Sequence, residues 1–313
     1  MNILISEFMD EESVAWLQSR FTTTYDPTLV DRREELLTRL AKVDALIVRN
    51  RTQVTADLLA AAAQLKVVGR LGVGLDNIDL PACRSRDVEV IPATGANALA
   101  VAEYVIATAM MLLRGTYASS IEVAAGKWPR TALSNGREIG GKTLGVVGYG
   151  SIGQLTARLA AGLGVRVLAT DPMLSPDSPV WAATGAVCCT PDQLLAASDV
   201  VSLHVPLTAE TRNFINASRL TLMKSNAVLI NSSRGGIVDE SALAAALKEG
   251  RLGGAALDVF DEEPLKAGSV LERCPNLILT PHIAGVTAES NTRVSSMIAQ
   301  RVADFLSSAK ADS

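Results

Sequence analysis

A chain of 313 residues is long enough for two domains of ordinary size, each with its own core. With 48% hydrophobic and 20% charged residues it has the make-up of a soluble globular protein. Its 29 basic and 33 acidic side chains leave a net charge of −4, which gives no basic footprint for nucleic acid or an anionic membrane surface.

The chain opens on a strand-like MNILISE with no basic segment leading into an apolar stretch, so a secretion signal is not expected. The first hundred residues carry five strand-like runs, NILIS, TTTYD, DALIVRN, LKVVGR and VEVIP, with helical stretches such as EESVAWLQSR and REELLTRLA between them. That alternation predicts a small parallel doubly wound sheet. Ala98 to Leu113 reads as a long, nearly all-apolar helix, interrupted by Glu103 and too short to span a bilayer comfortably. Such a helix is expected to be buried between domains or subunits rather than half buried. A Gly- and Pro-containing stretch, Gly126 to Gly141, follows it.

Thr143 to Asp171 is the most informative segment. An apolar run, Leu144 to Val147, leads into Gly148, Gly150 and Gly153 in G-x-G-x-x-G spacing, followed by the amphipathic LTARLAAGLG and then VRVLATD. Asp171 falls about 20 residues beyond the glycines, as the dinucleotide-binding fingerprint requires. The first glycine allows a tight turn, the second a close approach of backbone to pyrophosphate, and the third close packing of helix on strand. The helix N-terminus supplies free N–H groups and a favourable dipole for the anion. Without its flanking strand, helix and acid, the same spacing would mark only a tight strand–helix turn. The Asp171 carboxylate suits ribose hydroxyls and repels a 2′-phosphate, and PMLSPDS after it offers no Arg or Lys, so NAD is expected over NADP.

Further strands are expected at DVVSLHVP, NAVLINSS, GAALDVF and NLILTPH, with helices between them including SALAAALKEG, so this second unit reads as a full Rossmann-type sheet. Thr287 to Leu306 reads as a helix returning to the first domain. The expected organisation is a substrate domain of residues 1–97 plus 284–313, interrupted by a cofactor domain of residues 98–283. Four cysteines, Cys83, Cys188, Cys189 and Cys274, form neither C-x-x-C nor zinc spacing, so no metal is expected and a reducing cytoplasm is the simplest home.

Two such domains imply a cleft, with chemistry at the carboxyl ends of strands. Those ends carry Asp171, His204, Ser232 to Arg234, Asp258 to Glu263, and His282. The chain has two histidines, His204 in LHVP and His282 in TPHIAG, and the second sits in a backbone-tight turn behind Pro281. Arg234, after the apolar AVLI and before two glycines, presents a planar fork that matches a carboxylate. The alternative is a surface arginine in a turn. Glu263 in DVFDEEP would favour a protonated imidazole and fix its tautomer. The alternative is a solvated acidic turn, which for Asp261 and Glu262 is an equal reading.

Taken together, VVGYGSIG…D, INSSRGGIVDE, GAALDVFDEEP and LTPHIAG resemble the D-isomer-specific 2-hydroxyacid dehydrogenase family, and GRLGVGLDNID and TGANALAVAE extend the resemblance over nearly the whole chain. The resemblance implies a Rossmann NAD-binding domain inserted into a flavodoxin-like substrate domain, and hydride transfer between nicotinamide and a small 2-hydroxy or 2-oxo acid. It implies that Arg234 binds the substrate carboxylate and polarises the keto oxygen, that His282 is the general acid/base, and that Glu263 holds it protonated for carbonyl reduction. It makes Gly148, Gly150, Ser151, Ile152, Gly153, Asp171, His204, Pro206, Ser232, Asp258 and Gly285 cofactor-binding residues, with Asp258 at the nicotinamide amide and His204 and Pro206 along the adenine side. Val73 and Gly74 backbone groups would receive the substrate carboxylate, with Asn97 bordering the cleft.

VGRLGVGLDNIDL and SSRGGIVDE are closest to phosphoglycerate-dehydrogenase-like members. That branch often carries an extra C-terminal regulatory domain. The chain ends at Ser313 without it, so feedback control by an amino acid is not expected. Arg49 and Arg51, in IVRNRTQ, would meet a second anionic group such as a phosphate, sulfonate or carboxylate. If instead they are ordinary surface charges, glyoxylate, hydroxypyruvate or pyruvate becomes the better substrate. The apolar Ala98–Leu113 helix resembles the family's dimer contact, so a homodimer is expected. A non-catalytic, NAD-responsive binding module of the same fold is the other class, but the joint presence of Arg234, Glu263 and His282 favours catalysis.

Overall fold

The structure, a computed structural model, describes residues 1–311. It separates into two compact units, one made of Met1–Asn97 and the chain from Val286 onward, the other of Ala98–Gly285.

The first unit runs β1 (Asn2–Ile5), α1 (Glu11–Gln18), β2 (Thr22–Tyr25), α2 (Arg33–Arg39), β3 (Ala45–Val48), α3 (Ala56–Ala61), β4 (Val67–Arg70), α4 (Leu80–Ser85) and β5 (Glu89–Pro92). All five strands are parallel in the order β2-β1-β3-β4-β5, the flavodoxin-like arrangement. The central strand β3, ALIV, is buried at every position because helices cover both faces of a parallel sheet. Edge strand β2, TTTY, is threonine-rich and only half covered. Helices α1, α3 and α4 start on side-chain caps, with Asp10, Thr55 and Asp79 each accepting a backbone N–H from the first turn.

The second unit begins with α5 (Ala98–Arg114) and α6 (Ser120–Ala124). It then alternates β6 (Thr143–Val147), α7 (Ser151–Ala161), β7 (Arg166–Thr170), α8 (Pro179–Thr184), β8 (Val187–Cys188), α9 (Pro191–Ala197) and β9 (Val200–Leu203). It continues with α10 (Ala217–Leu222), β10 (Val228–Asn231), α11 (Glu240–Lys248), β11 (Gly254–Leu257) and β12 (Leu277–Leu279). Its seven strands are parallel in the order β12-β11-β10-β9-β6-β7-β8, the Rossmann order with one further strand. The order reverses between β6 and β9, and that switch point is where this fold binds ligands. The sequence reading missed β8, a two-residue edge strand too short to show an alternating pattern.

Within its own unit α5 is one-sided. Val105, Ala109, Leu112 and Leu113 are buried against α7 and the sheet, while Leu99, Met110 and Met111 stay exposed. No single helix among the described residues is long and apolar enough to cross a membrane. The stretch from α5 to Ala124 reaches that length only jointly, across a 72° bend.

The last helix, α12 (Ala288–Ala311), belongs to the first unit and closes one face of its sheet. Ile298, Val302 and Leu306 are fully buried with Ile3, Ile5 and Ile47. The close fit depends on Gly69 in β4, where an added Cβ would lie 2.8 Å from Ile298 Cγ2 and Val302 Cγ2. Truncating a core side chain here removes both transfer energy and packing, so Ile298→Ala should cost about 2–5 kcal/mol in urea unfolding. A loss below about 1 kcal/mol would show that α12 is not an integral part of this core.

Candidate active site

The glycine turn joins β6 to α7. Gly148 has φ +91°, and a Cβ there would lie 2.5 Å from the His204 carbonyl oxygen, so the turn crosses directly over the end of β9. A Cβ on Gly153 would lie 2.2 Å from the Gly148 carbonyl oxygen, so helix and turn meet without room for a side chain. Gly150 differs, with open space where its Cβ would be. It caps an 11-residue helix whose first intrahelical bond is Gln154 N to Gly150 O. The N–H groups of Ser151, Ile152 and Gly153 therefore lack intrahelical acceptors, next to the open space at Gly150.

Asp171 follows β7, and its carboxylate is already oriented. Oδ2 accepts from Tyr149 N at 2.7 Å and Oδ1 from Met173 N at 2.8 Å. The acid is thus fixed to the glycine turn itself. Tyr149, between the first two glycines, points away from that open side. Its hydroxyl donates to Thr184 Oγ1 at 2.6 Å, and its ring packs 4.9 Å from Trp181 on α8. These features fit a dinucleotide: an open backbone approach, free helix-end donors, and a fixed acid at the next strand end. Ser232 Oγ adds a buried hydroxyl with no hydrogen-bond partner.

The other candidates leave three neighbouring strands. The parallel register aligns Asn231 of β10 with Leu257 of β11, and Leu257 with Leu279 of β12, so the segments after them emerge side by side. After β10, the buried Asn231 side chain organises the turn. Its Oδ1 accepts from Ser233 N and Oγ, and its Nδ2 donates to the Arg234 carbonyl at 2.8 Å. One Arg234 guanidinium nitrogen donates to the Ser233 carbonyl at 2.6 Å. Behind it, Gly235 packs so closely on the next loop that a Cβ would sit 1.8 Å from the Phe260 carbonyl oxygen.

After β11 come Asp258 and, five positions on, Glu263. Glu263 Oε1 accepts from Phe260 N at 3.1 Å, and Oε2 lies 2.8 Å from His282 Nδ1. His282 follows β12 with φ +55°, a left-handed conformation uncommon for a residue with a Cβ. Asp258, 1% exposed, holds that turn. Its carboxylate accepts from Thr280 Oγ1 at 2.5 Å, Ile283 N at 2.8 Å and Ala284 N at 2.8 Å, while its carbonyl accepts from His282 N at 2.8 Å. Asp258 therefore spends most of its acceptor capacity inside the protein, a role that sequence reasoning missed. Asn231 and Thr280 were missed as well, although both lie inside the motifs that pointed to the site. Gly285, the last residue of the unit, follows the segment Asp258 holds.

His204 lies apart from this set, its Nε2 2.9 Å from Ser202 Oγ. Part of the residue reaches the surface, yet protein crowds the ring, and that burial lowers its pKa to about 4. It is neutral at physiological pH. Pro206, nearby, accepts the Thr211 hydroxyl at its carbonyl.

In the first unit the candidates fall at the carboxyl ends of β3 and β4. Val73 and Gly74 lie in the bend after β4, and Asn97 Oδ1 is buried with no hydrogen-bond partner. The two arginines separate. Arg51 pairs with Asp31, both side chains more than half exposed, so its charge is spent at the surface. Arg49 is partly buried, donating to Asn291 Oδ1 at 2.9 Å and lying 5.7 Å above the Phe8 ring. Burial lowers its pKa from the ordinary guanidinium value, against the opposing pull of Glu7. Glu7, 4% exposed, accepts from the backbone N–H of Arg49, Arg51 and Thr52 and fixes this loop. No group of three His, Cys, Asp or Glu among the described residues is arranged to hold a metal ion.

Parallel sheets in these two orders, a glycine turn with its fixed acid at one switch point, and an imidazole–carboxylate pair beside an arginine loop mark a dinucleotide-dependent oxidoreductase. The model of the D-isomer specific 2-hydroxyacid dehydrogenase NAD binding domain matches residues 106–284. The chain is 54% identical to (S)-sulfolactate dehydrogenase of Chromohalobacter salexigens, over 94% of each protein. It is 37% identical to D-3-phosphoglycerate dehydrogenase of Archaeoglobus fulgidus, over 97% of this chain and 57% of that protein. The crystal structure of the TT0316 protein from Thermus thermophilus is similar in fold, with a TM-score of 0.85 and 33% identity over 96% of this chain and 94% of that one. The chain belongs to the D-isomer specific 2-hydroxyacid dehydrogenase family, and it is an NAD-dependent oxidoreductase of 2-hydroxy acids.

The depressed pKa of His204 has a consequence for stability. The unfolded chain binds a proton near pH 6.5 that the folded chain refuses until about pH 4. Its contribution, on the order of 3 kcal/mol, is therefore complete above about pH 6.5 and is lost as the pH falls toward 4. His204→Gln should lose less stability than the unsubstituted protein between pH 7 and pH 5, measured by urea unfolding. Equal losses would show that His204 does not stay neutral.

Proposed function

We propose that this protein interconverts a 2-hydroxy acid carrying a second anionic group with its 2-oxo acid, and that (S)-sulfolactate is the substrate to test first. The observation that carries the reaction is the 2.8 Å contact between His282 Nδ1 and Glu263 Oε2, in a turn beside the Arg234 loop. The substrate reading is supported by the partly buried Arg49 and by the similarity to a sulfolactate dehydrogenase.

His282 is the general acid/base and Glu263 its orienting partner. With Nδ1–H donated to Glu263, Nε2 is the nitrogen left to exchange a proton with the substrate oxygen. Arg234 binds the substrate carboxylate and stabilises charge developing on the oxygen at C2. The cofactor is held by the glycine turn and the α7 amides at its pyrophosphate, by Asp171 at its ribose, by the unpartnered Ser232 hydroxyl, and by His204, Pro206, Asp258 and Gly285 around it. When bound, NAD supplies the hydride acceptor for oxidation and the donor for reduction. In the oxidative direction His282 takes the hydroxyl proton, and in the reductive direction it returns a proton to the carbonyl oxygen. In the first unit, Val73 and Gly74 backbone groups receive the carboxylate, Asn97 contributes its unpartnered oxygen, and Arg49 recognises the second anion. Arg51, engaged with Asp31, is left out of this set.

The protein acts as a homodimer in the cytoplasm. Met110 and Met111 of α5, with Tyr117, Ile121 and Trp128 beyond it, leave apolar surface exposed on one chain, and a second copy would cover it. All four cysteines are free thiols, as suits a reducing compartment. Light scattering should give twice the 32.9 kDa chain mass, and a monomeric mass in solution would refute the dimer.

The chemical reading is tested by His282→Gln, which should lower turnover by a factor on the order of 10² or more with NADH binding intact. Near-normal turnover in that variant would sink the acid/base assignment. A panel of sulfolactate, 3-phosphoglycerate, hydroxypyruvate and glyoxylate, followed by NADH absorbance, identifies the substrate. Arg49→Met should raise KM for a doubly anionic substrate by about tenfold or more and affect glyoxylate less. Equal effects on both would remove Arg49 from substrate recognition. NADH binding with no turnover across the panel would favour a binding module instead.

A further inference from the structure

The turn that carries His282 is anchored from a helix that takes no part in the proton chemistry. Tyr104, in the second turn of α5, places its hydroxyl 2.8 Å from Thr280 Oγ1, and Thr280 Oγ1 lies 2.5 Å from Asp258 Oδ1. The direction of these bonds follows from the number of hydrogens. A carboxylate only accepts, so the single Thr280 hydroxyl hydrogen goes to Asp258. The lone pairs left on Thr280 then receive the Tyr104 hydrogen. The donors run one way, from Tyr104 to Thr280 to Asp258, and each bond polarises the next. Burial raises the Tyr104 pKa, the Thr280 bond acting against that and Asp258 with it, which keeps the phenol protonated as the chain of donors requires.

Asp258 passes this constraint to the active-site turn. The N–H groups of His282, Ile283 and Ala284 all end on Asp258, through its carbonyl and its two carboxylate oxygens. His282 has φ +55°, a conformation that persists only where surrounding structure enforces it. The network is flanked by both ends of its unit, since α5 starts at Ala98 and Ala284 is followed by Gly285. Tyr104 is also one of the few polar side chains in the mostly apolar α5, and packing alone would be served as well by phenylalanine.

We propose that Tyr104 is a positioning residue for His282, acting through Thr280 and Asp258 to set the turn that aims the imidazole at the substrate oxygen. The proposal rests on His282 as the proton carrier, so His282→Gln is measured beside it. In the full-length protein, Tyr104→Phe should lower kcat about threefold to tenfold, the worth of one neutral hydrogen bond. Thr280→Val, which interrupts the chain of donors in the middle, should lower kcat about tenfold or more, and Thr280→Ser should restore most of that loss. The dissociation constant for NADH, read by fluorescence titration, and the melting temperature should stay near those of the unsubstituted enzyme in Tyr104→Phe. Should Thr280→Val fail to fold, Tyr104→Phe alone reads the same chain of donors.

Unchanged kcat in Tyr104→Phe, with His282→Gln inactive, overturns the proposal and leaves the acid/base reading standing. A parallel fall of kcat, NADH affinity and melting temperature in Tyr104→Phe also overturns it, because that pattern belongs to a packing residue. Full turnover in His282→Gln overturns the reading beneath it instead.

Discussion

Much of this structure depends on buried carboxylates that gather backbone N–H groups at the ends of parallel strands. A strand that ends at a sheet edge hands its chain to a loop with no ladder to satisfy its amides, and a loop of ordinary polarity would settle into several arrangements. Asp258 removes that freedom after β12 by accepting from Ile283 and Ala284. Glu7 does the same after β3, taking the N–H groups of Arg49, Arg51 and Thr52. Asp171 ties the glycine turn to the loop after β7 through Tyr149 and Met173. In each case a charge buried or held at a strand end is stabilised by the donors it organises, so the same hydrogen bonds offset both the cost of enclosing it and the cost of ordering the loop.

The alternation of short apolar runs with amphipathic stretches made the two sheets legible, because parallel strands covered on both faces read as continuous apolar segments. The Gly148–Gly153 turn and Asp171 were legible because backbone clearance admits only glycine at Gly148 and Gly153, and the acid sits at a fixed remove. The edge strand β8 was invisible, since two residues form no pattern. Arg49 and Arg51 were indistinguishable in IVRNRTQ; only folding shows that Asp31 claims one and that Asn291, from the far end of the chain, meets the other. Thr280 and Tyr104 escaped for a related reason. Their significance lies in a hydrogen bond across 176 positions of sequence, and neither residue type announces such a partner locally.

The two units solve similar problems with different strand orders. In the five-stranded sheet a charged loop after β3 is pinned from β1 by Glu7, its neighbour in the sheet. In the seven-stranded sheet the His282 turn after β12 is pinned from β11 by Asp258, again its neighbour. Adjacent strands are the elements whose separation a parallel ladder holds most tightly. A functional loop tied to the next strand therefore inherits the rigidity of the sheet. Gly235 extends this logic, since its lack of a side chain lets the Arg234 loop rest directly on the loop that carries Glu263.

The chain contains two imidazoles, and burial lowers the pKa of one of them, His204, to about 4. The protein thus carries a built-in spectroscopic reporter. With one ring removed by His204→Gln, the imidazole resonances that remain belong to His282, without isotopic assignment. Binding of cofactor or of a 2-oxo acid can then be followed at the ring that meets Glu263.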